Sequence, residues 1–196
     1  MEGASSRTQQ RHQQLKRKLI DMGAKLMAEK GISNCPVEEI TGAAGVGKGT
    51  FFNIFKNKDD FVFQSLDYWL NDLSRRLSPL SQPDPGVGLA NVGGVYLRYF
   101  QLRPEVASLL VQGLAVRSGA EGGEIKQIFT RHLEKLAEVI RPACKETAWR
   151  ENAADLALSI LSLSCGFFAL GQGLVSPGAQ TLDSLSRVFA RGIVQE

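Results

Sequence analysis

Between Gly42 and Thr50 the chain reads Gly-Ala-Ala-Gly-Val-Gly-Lys-Gly-Thr, a spacing of small residues, one cation and one hydroxyl that suits two different chemistries. Glycines let backbone N–H groups close around a phosphate, with Lys48 reaching its outer oxygens, provided that a buried strand feeds the loop and a helix leaves it. The same glycines can form the corner of a helix-turn-helix. Lys48, Gly49 and Thr50 then open a second helix, whose first residues meet base edges and phosphates in a major groove. The preceding residues separate the two readings. Pro36-Val-Glu-Glu-Ile-Thr41 puts adjacent carboxylates where a central strand needs apolar side chains, and burying such a pair is costly.

The loop resembles that of adenylate kinases, so a P-loop nucleotide-binding enzyme is the alternative. No later apolar strand ends in an Asp that could hold magnesium, and the expectation is therefore a DNA-reading corner with no catalytic residue. In that corner Gly45 and Gly47 permit the turn, Val46 plugs it, and the missing bulk at Gly49 lets the backbone approach a phosphate. Phe51 and Phe55, four apart, belong to the core.

The elements that must hold this corner are legible from apolar spacing and its breakers. Leu15, Leu19, Met22 and Leu26 mark an amphipathic helix over 15–30, ended by Gly31. A short helix enters at Pro36, with Glu38 and Glu39 at the positive end of its dipole. A third runs from Lys48 to Phe55, and a fourth from about Asp59 to Leu77, short of Pro79. The prolines and glycines of 81–88 predict a loop. Further helices are expected at 89–102, 104–117, 123–141, 150–174 and 180–194. No useful strand alternation occurs. The fold class is all-α, about nine helices: an N-terminal three-helix helix-turn-helix domain, residues 1–58, and a C-terminal helical effector-binding and dimerisation domain, 59–196.

Bulk composition agrees. A chain of 196 residues can bury a sizeable core without a disulfide, and Cys35, Cys144 and Cys165 are too few and too scattered for a set of bridges or a paired metal motif. With only His12 and His132 beside them, neither a metal site nor a cofactor is expected. The chain lacks an apolar run of membrane-spanning length or a signal-peptide stretch, so the expectation is a cytoplasmic protein with no membrane partner. Net charge is +3, and residues 1–60 carry 10 Lys/Arg against 7 Asp/Glu. Arg7, Arg11, Lys16, Arg17 and Lys18 form an uninterrupted basic cluster, suited to a minor-groove arm or to a solvated tail.

From about 16 to 61 the residues resemble the N-terminal domain of the TetR family of regulators. The likeness rests on Leu19-Ile20, Leu26-Met27 and Gly31, on Val37-Glu-Glu-Ile40, and on Ala44-Gly-Val-Gly-Lys-Gly-Thr-Phe-Phe-Asn-Ile-Phe-Lys-Asn-Lys-Asp-Asp-Phe61. It implies DNA contacts by Gly47, Lys48, Thr50, Phe52 and Asn53, and a phosphate contact by Lys58. Gly49, and Thr41 facing either DNA or solvent, complete the DNA-binding candidates. Phe52 stands where the family usually has Tyr, and Ile54 where it often has His. Phe52 is left to packing or to a thymine methyl.

In the 150–174 helix Leu156, Ile160, Leu163, Phe167 and Leu170 make one apolar line, and Leu158, Leu161, Cys165 and Phe168 a second. A helix apolar on two sides is central, or offers one side to a partner. With Leu182, Leu185 and Phe189 of the last helix, the first line is the expected dimer interface, and the resemblance implies a four-helix bundle between two copies. Trp69, Tyr96, Tyr99, Phe100, Phe129 and Phe167 could line an effector pocket or simply fill the core. Together these features imply a homodimeric transcriptional regulator, a repressor of a near-palindromic double-stranded operator, released by an unknown small-molecule effector.

Overall fold

The computed structural model describes residues 2–78, 85–115, 122–144 and 152–171. These form eight α-helices: α1 (Glu2–Lys30), α2 (Val37–Ala44), α3 (Lys48–Phe52), α4 (Lys58–Leu77), α5 (Pro85–Leu102), α6 (Pro104–Ala115), α7 (Gly122–Ile140) and α8 (Ala153–Gly171). A 3₁₀ turn, Arg141–Cys144, follows α7. The described residues contain no strand, so the fold is all-α. The helix expected at 180–194 lies outside the described residues, as do Leu182, Leu185 and Phe189.

The helix expected from 150 begins at Ala153, and three other boundaries differ from the apolar pattern for local reasons. α1 starts at Glu2 and not near 15, because Arg7, Gln9, Gln10, Arg11, Gln13 and Gln14 are good helix formers that need no core. α5 starts at Pro85, inside the expected loop, since proline suits the first helical position. α3 stops at Phe52 and not Phe55: the Ile54 N–H turns to the Phe51 carbonyl at 2.9 Å, tightening the last turn.

The chain divides into two compact units, 1–65 and 66–196, with the division inside α4; the sequence places its domain junction at 58/59. In the first unit α1 packs on α2 and α2 on α3. Their apolar faces and the first turns of α4 enclose Leu19, Ile20, Met27, Ile40, Phe51, Phe55 and Phe61, all buried. The three phenylalanines stack on one another with ring centroids 4.9–5.4 Å apart. At Gly23 α1 runs close against Phe61, and a Cβ there would lie 2.9 Å from Phe61 Cε1 and closer still to Cζ. In the second unit α8 packs against α5, α6 and α7. Its buried line is Leu156, Ala157, Ile160, Leu161, Ser164, Cys165 and Phe168.

Candidate nucleic-acid interface

The corner between α2 and α3 is built by backbone geometry. Gly45 sits in the left-handed region (φ 67°), where glycine escapes a Cβ clash, and caps α2 by donating to Gly42 O at 3.0 Å. Val46 N–H reaches back to Thr41 O at 2.9 Å, completing a two-bond helix stop. Val46 is half-buried and Phe51 fully so, which anchors α3 by its inner side. Gly42 lies within α2, so no strand enters the loop and the phosphate-cradle geometry is not formed.

What α3 leaves outside is the site. Gly47, Lys48, Gly49, Phe52 and Asn53 are exposed, and Thr50 is half-buried. No atom lies within 4 Å of a Cβ built on Gly47 or Gly49, so both present open backbone. Phe52 is 52% exposed, an uncommon placement for a phenylalanine and an available apolar contact. Lys48 is held by an ion pair with Glu38 on α2, and its ammonium beside that carboxyl lowers the Glu38 pKa.

Lys58 opens α4 beside this surface. Asn57 Oδ1 accepts the Asp60 N–H at 2.7 Å while Asp60 Oδ2 accepts the Lys56 N–H at 2.7 Å, a reciprocal cap that fixes the first turn. Lys58 Nζ donates to Ser33 O at 3.1 Å, which leaves two of its three protons for another acceptor. Thr41 does not share the outer surface. It is buried, 3% exposed, and its hydroxyl donates to Glu38 O at 3.0 Å, because it faces the inner side of α2 with Ile40 and Ala44. Glu38, the partner of Lys48, was missed from sequence; its position two helix turns before the corner was the available signal.

The second unit gathers the aromatic candidates. Trp69, Tyr96, Tyr99, Phe100 and Phe129 are all buried, whereas nothing is described of the Phe167 side chain. They are joined by a polar chain that spacing did not reveal. Ser74 Oγ donates to Leu70 O at 2.8 Å, so its contact with His132 Nδ1, also 2.8 Å, must be donated by the imidazole. Nε2 is then an acceptor and takes the Tyr96 hydroxyl at 2.6 Å. Burial drives the His132 pKa down to about 4 and the Tyr96 pKa well up, so both stay neutral. Cys165, buried near Tyr96, is pushed up to about 12 by desolvation. Of the expected dimer line, Leu156 and Ile160 are buried inside their own unit at 1% and 3% exposure. Leu163 is 56% exposed, and on the outer side it is joined by Leu158 and Ser162. The side chain of Leu170 lies outside what is described.

Residues 19–64 match the model of the bacterial regulatory proteins of the tetR family. Over those residues the chain is similar to that family. Within 60 residues the chain is 40% identical to the HTH-type transcriptional repressor DhaR of Mycobacterium sp. (strain GP1), a stretch covering 31% of the chain and only 30% of that relative's length. Among solved structures it is similar to the TetR family regulator PfmR from Thermus thermophilus: 21% identity, TM-score 0.69, 90% of this chain and 97% of that one. It is also similar to the transcriptional regulator FadR from Bacillus subtilis, solved in complex with stearoyl-CoA, at 18% identity and TM-score 0.72 over 89% of this chain and 95% of that one. These structures share its fold. No described helix is long and apolar enough to cross a membrane.

Proposed function

We propose that this chain is a DNA-binding transcriptional regulator, a cytoplasmic repressor that lays α3 in the major groove of a near-palindromic operator and is released by a small-molecule effector. The observation that carries the reading is the division of α3: Phe51 is its only buried side chain, while Gly47, Lys48, Gly49, Phe52 and Asn53 stand outward on a rigid aromatic base. A phosphate oxygen beside the open backbone at Gly47 and Gly49 would compete with Glu38 for the Lys48 ammonium. Thr50 and Asn53 supply hydrogen-bonding groups for base edges or phosphates, Phe52 an apolar surface for a thymine methyl, and Lys58 a phosphate contact.

Two such heads about one DNA turn apart would read the two half-sites, which requires a dimer. The outer side of α8, with Leu158 and Leu163 beside the small residues Ser159, Ser162 and Gly166, is the surface that suits a second copy. The effector would lie among Trp69, Tyr96, Phe100 and Phe129. Because α4 runs unbroken from Lys58 to Leu77 and supplies both Phe61 and Trp69, an effector that moved it would bias the DNA-reading unit. It can do so only by binding the two states with different affinity.

The test is a gel shift against the DNA beside the chain's own gene at several salt concentrations. Binding should weaken steeply with salt as counterions are released, and Lys58→Ala should reduce the log–log slope by about one. A shift that is absent, or indifferent to salt, overturns the reading.

A further inference from the structure

Among the described residues, the interior of the second unit holds one buried side-chain polar atom with no hydrogen-bond partner. Trp69 is 1% exposed, and its indole Nε1–H meets no hydrogen-bond acceptor among the described residues. A buried donor left unmatched costs free energy comparable to a lost hydrogen bond, and well-packed interiors seldom keep one. The indole is not loosely placed: the Arg103 guanidinium lies over its ring at 4.3 Å, and the Tyr68 ring meets it edge-on at 4.8 Å. The Tyr99 hydroxyl approaches the carbonyl of the same residue at 3.4 Å, which ties α5 to α4 at this level. The N–H direction is thus set by packing on both sides.

The surroundings say what would suit it. The Ser74–His132–Tyr96 chain runs in a single direction and satisfies its own donors, so it asks for no further acceptor. Among the described residues the buried polar side chains of this unit, tyrosines and the indole aside, are His132 and Ser164, and no buried carboxylate or ammonium is among them. Room exists as well. Gly93 is buried, yet a Cβ built on it meets no atom within 4 Å, and it shares a face of α5 with Tyr96 and Phe100 at spacings of three and four.

We infer that Trp69 Nε1–H is the anchoring donor of the effector site, and that the effector is an uncharged, mainly apolar molecule bearing one strong acceptor, a ketone, ester or amide carbonyl. Its body lies along the Gly93–Tyr96–Phe100 face of α5. A carboxylate would have to give up its hydration beside a single half-buried cation, the Arg103 guanidinium, which already lies over the indole face, whereas a carbonyl needs only the one donor that is present. The inference rests on the regulator reading only for the word effector, since the binding itself can be measured without DNA.

The experiment uses the full chain carrying Trp149→Phe, so that indole fluorescence reports Trp69 alone. Three probes of matched shape are titrated: 4-phenyl-2-butanone, butylbenzene and 4-phenylbutanoate. The ketone should bind about three- to tenfold more tightly than the hydrocarbon, the contribution of one net hydrogen bond, and the carboxylate more weakly than the ketone. The ¹⁵N-bound indole proton of Trp69 should move downfield with the ketone and not with butylbenzene. Trp69→Phe should abolish the preference while keeping hydrocarbon binding. Equal binding of ketone and hydrocarbon, a carboxylate that binds best, an unmoved indole proton, or no binding by any probe overturns the inference. A ketone preference in a chain that gives no gel shift would sink the regulator reading and leave the site standing.

Discussion

The two compact units place their polar groups in opposite ways. In the first, the interior is a sealed aromatic stack of Phe51, Phe55 and Phe61, closed so tightly that α1 carries glycine at position 23, and the charged groups Lys48, Glu38 and Lys58 stand at the surface. In the second, a histidine, two tyrosines and an unmatched indole N–H are inside, and a buried glycine at 93 faces open space. A base that must hold a short helix of five residues steady gains from an interior with one possible packing. An interior that admits a guest, as proposed for the second unit, would gain from room and from a few fixed polar atoms.

The sharpest way to break this contrast is Phe61→Ala. Removing the ring that packs on both Phe51 and Phe55 should cost about 3–5 kcal/mol in urea unfolding, with a transition confined to the first unit if the units melt separately. A loss under about 1 kcal/mol would mean that the stack is not what holds the unit together.

Acid should find the second unit. His132 has a folded pKa of about 4 against an ordinary value of 6.5, burial being the main cause and Lys135 adding to it. The unfolded chain therefore binds the proton first. The stabilisation is complete above pH 6.5 and is lost as pH falls toward 4, by about 3 kcal/mol in all. His132→Gln should flatten that part of the stability profile, read from urea midpoints across the range. An unchanged slope would show that the imidazole is not buried neutral.

The two glycines make a matched pair. Gly23→Ala should destabilise by about 1–3 kcal/mol, because the new methyl has to displace the Phe61 ring. Gly93→Ala should stabilise by about 0.5–1 kcal/mol, since it meets nothing and favours the helix. Thermal midpoints of both variants moving the same way would erase the distinction between a filled and a roomy interior.

The smallest effect is expected at the surface. Glu38→Gln frees Lys48 from an exposed pair without touching the core. Operator affinity should rise by about two- to fivefold at low salt and the unfolding midpoint should stay put. A weakened gel shift would instead make Glu38 an active organiser of the α2–α3 corner.

Apolar periodicity and its breakers were enough to declare an all-α chain, to locate α2, α4 and α6 closely, and to mark Gly31 and Gly45 as helix stops, because these depend on local sterics and on which residues repeat every three or four positions. The same local chemistry made the corner at Gly45–Gly47 readable: two carboxylates before it forbid the strand that a phosphate loop needs. Tertiary packing decided the rest. Thr41 is inside and Phe52 outside, although neither residue type announces it, since that depends on which side of a short helix meets α1 and the phenylalanine stack. Leu156 and Ile160 turned inward while Leu158 and Leu163 turned outward, because a helix apolar on two sides takes its orientation from its neighbours α5, α6 and α7. The Ser74–His132–Tyr96 chain joins residues up to 58 positions apart, and the Trp69 donor is unmatched only because folding buried it away from any acceptor among the described residues. Spacing along a chain records what repeats locally; it carries no record of which distant side chains a packed interior will leave facing one another.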